Sequence, residues 1–352
     1  MTAAAGSPRS RTPAAVSWPG RVAVIGPHIL DILGRPVEQI PPGQGSLRIE
    51  EIRATAAGTA AGTAVDLAKL GASVTVFGAI GTDLIADVLL GALAAYNIDT
   101  SGLARKAEAQ TSATMLPIRP NGERPALHVP GATRLLQLAD IDLDGLAGFD
   151  AVMLGGPEAL AGLSAADLAK IVAAAKSAGA LVGVDVLHPG SERDFARISD
   201  ALACADWFCP NSDQLLALTG RKDLGQAIAD VLALGTGGVA VTLGADGCLV
   251  TDGHGGLTQI GAIEVPVVDT TGCGDGFNAG LLTGLMLGCD PADGARLGVA
   301  CGSLVATGLG SDAGIHSFDQ VLDFMRAAPA GQEVADRIAQ YRAATGKGER
   351  VA

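Results

Sequence analysis

The chain reads as an α/β protein in which a parallel sheet is covered by helices on both faces and carries a small β lid on one edge. Three observations predict this. From Asp150 onward, short apolar runs alternate with helical runs, as expected of strands buried on both faces. Two stretches, about 35–56 and 110–130, interrupt the alternation with turn residues and hairpin-like patterns. The stretch Asp269-Thr270-Thr271-Gly272-Cys273-Gly274-Asp275-Gly276-Phe277-Asn278-Ala279-Gly280 follows an apolar run and opens into another, as a loop feeding the N-terminus of a buried helix does.

The elements follow in order. Arg21 to Gly26 is the first buried strand, with Pro27 to Asp31 as the loop at its C-terminal end. Gly34 to Arg53 is turn-rich, and only Leu47 to Arg53 is patterned as an edge strand. Ala57 to Leu70 is a helix of small residues stopped by Gly71. Ser73 to Phe77 is a strand and Asp83 to Tyr96 a helix. Thr111 to Ile118 and Arg124 to Val129 pair around Asn121-Gly122, a hairpin signal. Strands are then expected at 151–154, 180–186, 206–209 and 238–243. Helices are expected at 164–177, with Ser164 as N-cap, at 212–218 and at 224–234. A hairpin is expected around Asp252-Gly253. Helices near 275–287, 291–307, 318–326 and 333–343 complete the chain. One domain covers 21–330, preceded by a disordered tail at 1–20 and followed by a C-terminal helix and tail at 331–352.

Composition bounds the function. Hydrophobic residues make up 48% and aromatics only 3% of the 352 residues, so the core must be aliphatic and built around close-packed backbones. The formal charge of −13 and the lack of a Lys/Arg-rich run argue against a nucleic-acid partner. No apolar run is long enough for a membrane span, and the first twenty residues lack a secretory apolar region. The six cysteines have no metal-like spacing and read as reduced thiols. A cytoplasmic location is expected.

The chemistry centres on the 269–280 stretch. Its glycines let backbone approach an anion, and first-turn N–H groups point at it without helical partners. Asp275 lies where those amides converge. Such a cradle suits transfer of a phosphoryl group, with Asp275 taking the proton of an attacking hydroxyl and the amides of Gly272, Cys273, Gly274 and Asp275 holding phosphoryl charge. A plainer role for Asp275 is a carboxylate complementing the helix dipole. In open α/β sheets ligands bind beyond the carboxyl ends of strands. His28, Asp31, Ala57-Gly58, Asp185, Asn211 and Thr242 to Gly247 all fall on that rim. Asp269 is either a loop brace or a cation ligand with Thr271. His128 and His188 could also reach the rim, and Arg124 lies on the lid.

The pattern Asp-Thr-x-Gly-x-Gly-Asp followed by Phe-Asn-Ala-Gly resembles the C-terminal signature of the ribokinase-like (PfkB) family of carbohydrate and nucleoside kinases. Pro210 to Gln214 with Leu218-Thr219-Gly220 resembles its Asn-x-x-Glu segment. Thr242 to Gly247 resembles its nucleotide-phosphate loop, and Ala57-Gly58 through Gly71 its N-terminal Gly-Gly signature. The resemblance covers about 21–330. It implies a three-layer α/β/α Rossmann-like core with a β lid, using ATP and magnesium, with potassium as a further candidate activator. It carries the catalytic base to Asp275, the anion hole to Gly272 to Gly274, and nucleotide contacts to Asn211, Thr242, Gly244, Asp246 and Gly247. It carries the grip on substrate hydroxyls to Asp31, with Gly58, Gly62 and His28 as the other substrate-side candidates, and metal handling to Gln214 or Asp213, with Asp269 and Thr271 as further candidates from their place in the loop.

Three departures bear on function. Gln214 stands where the family usually has Glu, which weakens metal handling unless Asp213 takes it over. Ala57 replaces the first glycine of the N-terminal signature, and Gly62 stands where an Asn often contacts the sugar. Cys273 replaces a small Ala and is either a passive small residue or a thiol whose pKa is lowered by the helix terminus. The reading is an ATP-dependent kinase for a small sugar or sugar-like acceptor. A nucleoside kinase needs a base pocket that few aromatics here could line, and a non-catalytic binding protein of the same fold is the other alternative. A dinucleotide-binding dehydrogenase does not fit Gly26-Pro27-His28. Unpaired lid edges predict a homodimer.

Overall fold

The computed structural model describes residues 18–252, 256–329 and 331–345. The expected tail therefore lies outside the described residues up to position 17. Trp18 already packs on the body, its ring centroid 6.2 Å from that of Phe318. Gly253 of the expected hairpin turn and the chain beyond 345 also lie outside the described residues.

The first third of the chain interleaves core and lid. Strand β1 (Arg21–Ile25) leads into β2 (Ile29–Arg35) and β3 (Glu51–Ala57), followed by α1 (Gly58–Lys69), β4 (Ser73–Ile80), α2 (Leu84–Ala94), β5 (Asp99–Arg105), β6 (Ala113–Pro117) and β7 (Leu127–Val129). The regular alternation comes next: β8 (Ala151–Gly155), α3 (Ala165–Ser177), β9 (Leu181–Asp185), α4 (Glu192–Cys204), β10 (Trp207–Phe208), α5 (Ser212–Thr219), α6 (Leu224–Leu234) and β11 (Gly238–Thr242). The hairpin β12 (Cys248–Thr251) and β13 (Leu257–Ile260) precedes α7 (Cys273–Met286), α8 (Pro291–Val305), α9 (Phe318–Ala327) and α10 (Gly331–Thr345).

Nine strands form the main sheet in the order β13-β12-β11-β10-β9-β8-β1-β4-β5. It is parallel from β5 to β11, but β12 and β13 are antiparallel, so the fully parallel sheet expected from the alternation is corrected to a mixed one. The lid is a second sheet ordered β3-β2-β6-β7. Its β2 falls on Ile29 to Asp31, read above as a loop, and pairs along its whole length with β3, from Ile29↔Ala57 to Arg35↔Glu51. Ala56 and Ala57 carry little strand propensity, so pairing with β2 decides their conformation. Strand β5 and helix α4, capped by the Ser191 side chain, were also absent from the sequence reading.

The near absence of aromatics is met by backbone proximity. Helices α7 and α8 touch through glycine pairs one turn apart. A methyl group on Gly280 would lie 2.7 Å from Gly298 Cα, and one on Gly284 would lie 2.7 Å from Gly294 Cα. Helix α7 is buried along its length and packs on α1 as well as α8, which anchors its first turn at the floor of the cleft.

Candidate active site

A cleft of about 740 Å³ opens beyond the carboxyl ends of β9, β10 and β11. Asp31, Thr114 and His128 of the lid strands form its roof, and Gly272 to Asp275 lie at its floor. Gly272 has φ 82°, which an L side chain resists, and a side chain there would run into the Ser311 backbone. Glycine therefore lets the loop turn into α7 so that the first-turn amides face the cleft. A side chain on Gly274 would meet open space, which leaves room for a ligand against the amides.

Asp275 sits at this helix start and is only 9% exposed. Burial, then the charges of Asp66 and Asp31, push its carboxyl well above the usual carboxylate range, while Arg124 opposes them. A proton acceptor in a cleft needs such tuning. Asp31, on β2, is raised to about 6 by burial, with Thr114 and Arg124 acting against it. Asp185, at the end of β9, also lines the cleft. It accepts from Asn278 Nδ2 at 2.7 Å and from the Val186 amide at 2.7 Å. Burial and the Asp275 charge raise it as well.

Of the seventeen residues given a catalytic, substrate, nucleotide or metal role from sequence, twelve line this cleft, among them Gly58, Asn211, Thr242, Gly244, Asp213 and Thr271. Five do not. His28 is fully buried, its Nδ1–H donates to Gly26 O at 2.8 Å, and burial lowers its pKa to about 4, so it braces the β1–β2 connection. Asp269 is a loop brace. Its Oδ1 accepts from Thr271 N at 3.0 Å and Thr271 Oγ1 at 2.8 Å, and its Oδ2 from Gly310 N at 3.0 Å. Gly247 has φ 85° and no room for a side chain beside the Ile260 carbonyl, so it shapes the turn into β12, and Asp246 beside it points to solvent. Gly62 lies behind the cleft in α1. A methyl group there would lie 2.8 Å from Asp275 Cγ and closer still to Oδ2. Its role is to admit Asp275.

Gln214 lines the cleft, but its amide is committed. Oε1 accepts from Asn211 N at 2.8 Å and Nε2 donates to Val186 O at 2.9 Å, while Asn211 caps α5 by accepting from Gln214 N at 2.9 Å. The pair is a capping box, which corrects the assignment of Gln214 to a metal. Among the described residues no three His, Cys, Asp or Glu side chains converge as a metal site. Asp213 is the exposed carboxylate on this rim. The Cys273 thiol is pushed up to about 12 by burial, against the pull of Arg124, so the lowered pKa does not arise and the passive alternative holds.

Sequence reasoning left two features unread. The Arg124 guanidinium donates from Nη1 to Thr271 Oγ1 at 2.7 Å, which ties the lid to the 269–275 loop across 147 residues. Asp66, a lone acid in a helix of small residues, is fully buried beside Asp275. Its isolation in that helix was the available signal.

A model of the pfkB family of carbohydrate kinases matches residues 20–317. The chain belongs to the pfkB family. It is a kinase of the class that transfers phosphoryl groups to alcohol acceptors. An uncharacterized sugar kinase of Archaeoglobus fulgidus is 29% identical over 66% of this chain and 90% of the relative. The 1-phosphofructokinase of Rhodobacter capsulatus is 30% identical over 72% of this chain and 80% of its own length. The fold matches Arabidopsis thaliana ribokinase, solved with ribose and ATP, at a TM-score of 0.73 and 23% identity, covering 87% of this chain and 98% of that one.

Proposed function

We propose that this pfkB kinase transfers the γ-phosphoryl group of ATP to a hydroxyl of a small sugar or sugar-like acceptor. The observation that carries the reading is the convergence of Asp275 and the first-turn amides of α7 at the floor of a cleft roofed by Asp31. In the step proposed, Asp275 takes the proton of the acceptor hydroxyl as that oxygen bonds to the γ-phosphorus. The bond to the β,γ-bridging oxygen breaks, and ADP leaves. The amides of Gly272 to Asp275 hold the charge on the equatorial oxygens. Asp31 grips acceptor hydroxyls from the lid. Asn211, Thr242 and Gly244 line the nucleotide side.

One exposed carboxylate beside an amide cradle suits a magnesium ion that arrives with the nucleotide and keeps several waters. Asp213 would hold it there, and when bound the ion supplies neutralisation of phosphate charge. No Phe, Tyr or Trp lines the cleft among the described residues, which favours a sugar over a nucleoside. A row of apolar side chains on the outer lid face (Ile32, Met115 and Leu127, 40–57% exposed and in register) supports a homodimer through that face. Light scattering that gives a monomer at working concentration refutes the dimer.

The test is ATP consumption with magnesium against sugars, keto-sugars, sugar phosphates, sugar acids and nucleosides. Asp275→Asn should lower turnover on the accepted compound about 10²–10⁴-fold while ATP still binds. Full activity in that variant would remove Asp275 from its role.

A further inference from the structure

Asp66 has no part in the mechanism above, yet it is the most unusual charge in the molecule. It lies inside α1 at 0% exposure, and neither of its oxygens accepts a hydrogen bond. An orphaned buried carboxylate is costly, and a helix of alanines could have held an apolar residue there. Its counter-ion is Lys69, with Nζ 3.9 Å from Oδ1. Lys69 Nζ also donates to the Asp312 carbonyl, and the Asp312 carboxylate pairs with Arg53 at 3.0 Å. Two cations thus face two carboxylates behind the cleft. Burial pushes the Asp66 carboxyl well above the usual carboxylate range, and the pairing with Lys69 pulls it back.

The seam between α1 and α7 brings Asp66 against the proposed base. Gly62, one turn earlier on α1, admits the Asp275 carboxyl, and a methyl group on Gly276 would lie 3.4 Å from Asp66 Oδ2. The Thr63 hydroxyl lies on the same seam and draws the Asp275 carboxyl down. Other charged or titratable groups acting on this site are Asp31 from β2, Arg124 from the lid, Asp185 from β9, and the Cys273 and Cys301 thiols. Asp31 and Arg124 line the cleft, within an acceptor's reach, whereas Asp66 does not line it.

We propose that Asp66 is a positioning residue for phosphoryl transfer, an orphaned carboxyl lodged behind Asp275 across the α1–α7 seam that sets how readily Asp275 takes the proton of an acceptor hydroxyl. The proposal rests on the kinase reading for its consequence but not for its test. Asp66→Asn keeps the shape and removes the charge. Carbon-13 titration of aspartate carboxyls, with Asp275 assigned by Asp275→Asn, should show Asp275 titrating about one pH unit lower in Asp66→Asn. On an accepted compound, the acid limb of kcat should move down with it, and plateau kcat should fall about 3–10-fold with KM for ATP unchanged. An Asp275 titration that does not move in Asp66→Asn overturns the proposal, even where no acceptor has been found. Full turnover in Asp275→Asn would overturn the kinase mechanism instead and leave the titration result standing. Where Asp66→Asn does not fold, Asp66→Ser, smaller and equally uncharged, carries the same expectation.

Discussion

Gly62→Ala isolates how closely Asp275 depends on its neighbour. The added methyl group would lie 2.8 Å from Asp275 Cγ and 3.1 Å from Cβ. Carbon atoms rest at about 3.5–4.0 Å, so the carboxyl must retreat by roughly 0.7 Å or more. It retreats by rotating its side chain, because α7 is held on its other face by α8. A displacement near 1 Å at a reacting group costs about 10²-fold in rate. Overpacking costs about 1–3 kcal/mol, offset by about 1 kcal/mol from replacing a helical glycine with alanine, so stability changes little. The expected outcome is kcat lowered by about 10–100-fold, with the melting temperature shifted by only a few degrees. Steady-state kinetics and thermal unfolding on the same preparation decide it. Activity within threefold of the parent would show that the approach of Gly62 to Asp275 does not position the base.

Further expectations concern packing, the capping box and pH. Gly280→Ala forces apart backbones that now meet at Gly298, and should cost about 1–3 kcal/mol in urea unfolding without altering KM. Gln214→Glu restores the acid usual in the family but faces the Val186 carbonyl with a second acceptor. It should lose about 1–3 kcal/mol of stability and gain no magnesium-dependent activity, as unfolding curves and magnesium titrations would report. The Asp31 carboxyl titrates at about 6 in the folded chain against an ordinary value of 3.8, so its effect on stability is most favourable below 3.8 and is lost as pH rises through about 6. Asp31→Asn should therefore gain about 3 kcal/mol relative to the parent at pH 8 compared with pH 3.5, measured by urea unfolding at both.

Much of the site was legible because its chemistry is contiguous. The 269–280 stretch carries its glycines, its carboxylate and its helix start within one turn and one loop, so local rules suffice to read it. Strand–helix alternation likewise reports burial on two faces, and Ser164 and Asn211 announce their helices through local side-chain bonds. The lid was harder. The β2 strand follows β1 after three residues, where Gly26-Pro27 reads as a loop, and only its pairing with β3 and β6 reveals it.

By itself the sequence determined the α/β class, the order of most elements, the amide cradle and the identity of its carboxylate, since each depends on residues close together along the chain. Only the tertiary structure decided which of the remaining polar residues meet that carboxylate. Gly62, Asp66 and Arg124 reach the 269–275 loop across 147 or more positions, while Gln214, Asp269 and His28 are drawn into internal hydrogen bonds. Contact at that separation is set by how helices and sheets pack, and a buried polar atom takes whichever partner the packing brings within reach.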